Sequence, residues 1–162
     1  MNKKNILRLN DALNLFNYDS APIDLVLKMM KNKIAIEDAA DRISRQLSKI
    51  SATLKPSNLE ELKAELQAQL CQERVDDKMV LNLQSRIKIV SQIWNNRYSE
   101  AEKDILMEEE PISIELLTSD ELYLLLRPKK DIIDTGGKKE IVAQNRLSSE
   151  HLSALSHITN TN

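Results

Sequence analysis

Glycine is almost missing from this sequence, two in 162 residues, and proline occurs only four times. Sheets joined by tight turns, and loops that wrap phosphate groups, depend on glycine's access to positive φ. A β-sandwich, a barrel and a nucleotide-binding α/β fold are therefore disfavoured. Aromatic side chains make up 3% of the chain: Phe16, Tyr18, Trp94, Tyr98 and Tyr123. They leave little from which to build an aromatic cage, a base-stacking platform or an aromatic-lined cleft.

Cys71 is the single cysteine, which excludes an intrachain disulfide and a thiolate zinc cluster and fits a reducing compartment. It is expected to be a buried or half-exposed structural residue. His151 and His157 are the only histidines, and their six-residue spacing keeps them off a shared helix face, so no metal site is expected. Ser148 and Ala154, three positions before them, cannot supply the carboxylates of a di-iron bundle. No cofactor is implied.

No stretch approaches the roughly 18–20 uncharged apolar residues that cross a bilayer. Arg8 and Asp11 interrupt any signal-peptide core at the start. A cytoplasmic protein without membrane contact is expected. The net charge of −2 offers no global field for nucleic acid. Its distribution is uneven: residues 1–56 carry 10 basic and 6 acidic side chains, residues 57–110 carry 7 and 12, and residues 111–162 carry 6 and 7.

What the chain does have is apolar periodicity, within a composition that is 41% hydrophobic and 30% charged. Ile6, Leu9, Leu13 and Phe16 predict a first helix over 6–16, ending near Asn17–Ser20. Asp19 or Ser20 can cap a second helix from Pro22 to about Lys31, with Ile23, Val26, Leu27 and Met30 on one side and Asn32 as its end. From there Ile36, Ala40, Ile43, Leu47, Ile50 and Leu54 follow steps of four and three. This 3.5-residue repeat is the seam of a narrow helix–helix contact. Pro56 stops the helix, and Ser57 with Glu60 forms the pattern of a capping box for the next one.

Leu62, Leu66 and Leu70 continue the stripe, followed by Val75, Met79, Leu83, Ile87, Val90, Trp94, Tyr98, Ala101 and Ile105. The five-residue step from Leu70 to Val75, with Asp76 and Asp77 behind it, marks either a stutter in one very long helix or, as the favoured reading, a break with Asp76 or Asp77 capping a new one. Glu108-Glu109-Glu110-Pro111 closes the region, since like charges oppose the helix dipole there and proline forbids continuation. Beyond it, residues 112–116 alternate like a short strand, 119–126 read as a capped short helix, and 129–139 read as a loop around Gly136-Gly137. A last helix is expected over about 149–158.

The fold expected is all-α: an antiparallel helical bundle or long helical hairpin over 1–110, with a small helical or mixed C-terminal appendage over 111–162. No catalytic constellation emerges. The adjacent carboxylates Glu60-Glu61, Asp76-Asp77 and Glu108-Glu109-Glu110 point apart on a helix and are expected on solvated faces. An enzymatic alternative would have to assemble a polar site from residues such as Arg97, Tyr98 and Asp104 with distant partners.

The seam is the feature that asks for a function. It packs either against its own chain or against another, so Ile36, Ala40, Ile43, Leu47, Ile50 and Leu54, with Trp94 and Tyr98, are the candidate partner contacts. A non-catalytic adaptor, chaperone or regulatory subunit is expected, holding a partner helix or a second copy as a homodimer. The alternative is a DNA-binding regulator using residues 33–55. In it Lys33–Ile43 would open a helix-turn-helix and Ser44–Lys49 would face phosphates and bases.

Overall fold

The computed structural model describes residues 1–16, 18, 21–72, 74–126, 129–135, 138–144 and 147–159, of which 129–135 and 138–144 are described by their backbone. Its elements in chain order are α1 (Lys3–Leu13), α2 (Ile23–Leu54), α3 (Leu59–Leu70), α4 (Asp77–Met107) and α5 (Ser119–Leu125). There follow β1 (Lys129–Thr135), β2 (Lys138–Gln144), α6 (Ser149–Leu155) and a 3-10 turn, η1 (Ser156–Ile158). The body of the chain is helical, as its periodicity requires. Among the described residues no helix is long and apolar enough to cross a membrane.

Several boundaries differ from the sequence reading, each for a local reason. α1 covers Lys3–Leu13 rather than 6–16, because the Asn2 side chain accepts from Asn5 N at 2.9 Å and starts the helix earlier. Phe16 lies beyond the helix end and is buried all the same. The proposed caps Asp19 and Ser20 lie outside the described residues. The two helices expected on either side of Asn32 are one, α2, with no proline or glycine to break it. Pro56 does end it. Ser57 does not cap α3: Asn58 holds that position with no side-chain cap bond. Glu60 is taken instead by Lys55 at 2.9 Å and Lys63 at 3.4 Å. The break after Leu70 is present, and Asp76 Oδ1 accepts from Lys78 N at 3.0 Å and Met79 N at 3.2 Å at the start of α4.

The loop expected over 129–139 is replaced by a hairpin. β1 and β2 pair antiparallel, with Ile132 opposite Ile141 and Asp131 opposite Val142; β-branched residues favour the extended backbone there. Gly136 and Gly137 lie outside the described residues. The alternation over 112–116 forms no strand; the neighbouring Leu117 makes a single parallel bridge to Thr159, with Leu117 N donating to Ile158 O at 2.7 Å.

The chain divides into two compact units: Met1–Ile43 with Met107–Asn162, and Ser44–Leu106. The first has a continuous core that includes Ile6, Leu9 and Leu13 of α1, Met29, Ile36 and Ile43 of α2, and Leu117, Leu125, Leu155 and Ile158. α1 packs on α6, and Arg8 pairs with Glu150 at 2.7 Å. The residues around Glu108 are not simply solvated: Lys3 pairs with Glu108, Arg42 with Glu110 at 3.0 Å, and Lys3 N donates to Glu108 O at 3.0 Å. The carboxylates of Glu108 and Glu110 thus fasten α2 and the start of α1.

The second unit is thinly filled. Leu59, Leu62, Val80, Leu83 and Ile105 are its buried hydrophobic side chains among the described residues. Leu47, Ile50, Leu54, Leu66, Ile87, Val90, Trp94 and Tyr98 are only half-buried.

Candidate functional site

The eight candidate contacts separate in the structure. Ile36, Ala40 and Ile43 are buried in the first unit's own core, where the chain itself shields them. Leu47, Ile50 and Leu54 stay half-buried in the second unit, as do Trp94 and Tyr98 of α4. Three of these, Leu47, Trp94 and Tyr98, line one cleft of about 540 Å3.

The shape of that cleft follows from residue size along two helices. On α2 its wall is Ser44, Ser48, Ser51 and Ala52 beside Leu47, with Lys55 at the end. Positions 44, 48 and 51 recur once per helical turn, so one line of α2 carries serines where the neighbouring seam carries long apolar side chains. The facing wall is built by the indole and phenol of Trp94 and Tyr98, four residues apart on α4. Large rings opposite small side chains leave a trough.

Its polar groups are mostly committed inside the chain. Trp94 Nε1 donates to Ser51 O at 3.2 Å, which ties α4 to α2 directly. The Tyr98 hydroxyl donates to Glu102 Oε1 at 3.3 Å. Burial first, and then the Glu102 carboxylate, push the Tyr98 phenol above its ordinary value, so it is a neutral donor at physiological pH. Lys55 Nζ is 2.9 Å from Glu60 Oε1, and the Lys55 hydrogen bond is the main reason the Glu60 carboxyl is held below the usual range. What faces an occupant is therefore ring surface, methylene and serine hydroxyl.

No protein-family model matches this chain, and the comparisons with curated proteins and with solved structures return no match.

Other candidate chemistry is dispersed. Arg97 and Asp104 are exposed and do not line the cleft that holds Tyr98. His157 Nε2 is 2.7 Å from Asn5 Nδ2, and His151 Nδ1 accepts from Ser148 N at 3.2 Å, so each imidazole has a local structural partner. No group of three or more His, Cys, Asp or Glu among the described residues is placed to hold a metal. Cys71, expected to be buried or half-exposed, is exposed at the C-terminal end of α3. Residues 33–54 lie within the single helix α2, so the turn that a helix-turn-helix needs is not formed there.

As cleft residues the sequence reading missed Ser51, Ala52 and Lys55, and it named Ser44 and Ser48 only within the Ser44–Lys49 stretch of the DNA-binding alternative. The available signal was a line of small residues at heptad spacing beside the apolar seam.

Proposed function

We propose that this chain is a non-catalytic interaction protein of the adaptor, chaperone or regulatory-subunit kind, working in the cytoplasm, that holds a helix of a protein partner in the cleft of its second unit. The observation that carries this reading is the trough of about 540 Å3 between the serine line of α2 and the rings of Trp94 and Tyr98. Its volume is in the range of occupied binding clefts, about 300–1,000 Å3. Its lining is apolar ring and small side chain, which suits the large side chains of an amphipathic helix read at one-turn spacing. The half-buried Leu47, Ile50 and Leu54 beside it add apolar surface that an occupant would remove from water.

Trp94 is the only tryptophan in the chain and lines the cleft, so its emission reports occupancy. The test is selection from a displayed library of amphipathic helical peptides, followed by titration of the selected peptides into the full chain. A bound helix blue-shifts Trp94 emission, and Ser48→Arg, which fills the trough from an exposed position, abolishes that shift. If no selected helix moves the emission, or if Ser48→Arg binds as tightly as the parent, the reading fails.

A further inference from the structure

The first turns of α2 are apolar on two opposite sides. Leu25, Met29 and Ile36 face the core. Ile23, Leu27, Met30 and Ile34, at steps of four, three and four, are 51% to 70% exposed. At about 100° per residue the two lines lie diametrically across the helix, so the outer one is the side that the chain's own core does not use. A hollow of about 340 Å3 lined by Tyr18, Val26, Met29, Met30 and Lys33 runs along its edge.

Charge selects what covers this line. Asp24 and Lys31 flank it on one side, Val26 and Lys33 on the other. Two copies laid antiparallel about an axis between Leu27 and Met30 stack Ile23 on Ile34 and Leu27 on Met30. That register also sets Asp24 of each copy beside Lys31 of the other, twice by symmetry. Past Ile34 the same line continues as Glu37 and Asp41; parallel pairing would stack these like charges on themselves, whereas the antiparallel register carries them beyond the contact. Lys31 Nζ is exposed, 3.3 Å from Glu115 Oε1, and can face a second carboxylate.

We propose that a second copy of this chain docks antiparallel on the Ile23–Ile34 line of α2, making a two-fold dimer. The interface lies in the first unit and does not rest on the cleft beside Trp94.

Sedimentation velocity on the full chain across a concentration series tests it, with circular dichroism on every variant. The expected result is a concentration-dependent dimer that Leu27→Glu converts to monomer with helicity unchanged, because Leu27 is exposed. Asp24→Lys weakens dimerisation about tenfold by turning two attractions into repulsions, and Asp24→Lys with Lys31→Asp restores it. A monomer at every concentration, a dimer indifferent to Leu27→Glu, or a double exchange no tighter than the single one overturns the proposal. Trp94 emission separates this from occupancy of the cleft: it stays constant across the dimerisation range.

Discussion

Asn32 holds both backbone groups of Glu115. Its Nδ2 donates to Glu115 O at 2.7 Å, and its Oδ1 accepts from Glu115 N at 2.8 Å. The side chain is 1% exposed, in the middle of a helix, and it substitutes for a neighbouring strand by satisfying one residue of an extended segment. Lys28 to Glu121 at 2.9 Å and Lys31 to Glu115 at 3.3 Å secure the same stretch from α2.

Replacing Asn32 with Ala is expected to lower the unfolding free energy by about 2–3 kcal/mol, since two backbone groups lose their partners while partly shielded from water. Asn32→Asp is expected to cost more. A carboxylate can still accept from Glu115 N, but its second oxygen then meets the Glu115 carbonyl, and a charge is buried without a counter-ion. Urea denaturation with unchanged m-value checks both; an Asp variant as stable as the parent contradicts the double hydrogen bond.

The Glu121 carboxyl is held below the usual range, mainly by its hydrogen bond from Lys28, with the Thr118 backbone N–H adding to it. A depressed folded-state value means stabilisation that is present above the unfolded-state value of about 4.5 and is lost as pH falls through the folded one. Glu121→Gln keeps the reciprocal bond to Thr118 that closes the capping box but removes the ion pair. The variant should therefore melt lower than the parent at neutral pH, and the two should converge as pH falls below about 4.5. A Tm difference that stays constant through that window would refute the assignment.

Asp76 caps α4 through two backbone donors, so Asp76→Ala is expected to cost about 1 kcal/mol. The loss should be local. Amide exchange is expected to quicken at Lys78 and Met79 and to stay unchanged in the middle of α4; unchanged exchange at both amides would show the cap to be unimportant, and uniform acceleration along the helix would show that its loss is not local.

Much of the helical frame was legible because proline and apolar spacing act locally. Pro56 stopped α2, and the five-residue step after Leu70 marked the turn to α4. Asn32 could not be read the same way: its partner is 83 positions away, and an asparagine between two apolar runs looks like a helix end until that partner is known. The hairpin was hidden by charge, since Lys129, Lys130, Lys138 and Lys139 surround the β-branched Ile132, Ile133, Ile141 and Val142. Ser57 and Glu60 matched a capping pattern, but Lys55 and Lys63 compete for the same carboxylate. Of the cleft, the large half, Leu47 with Trp94 and Tyr98, stood out in the sequence. Its serine half did not, because short polar side chains carry no hydrophobic period.

Cys71 gives the molecule one uniquely addressable thiol, exposed where α3 ends. A nitroxide placed there labels each polypeptide once. A two-fold pair of chains then contains two spins, and a dipolar spectrum should report a single spin–spin pair for each assembly.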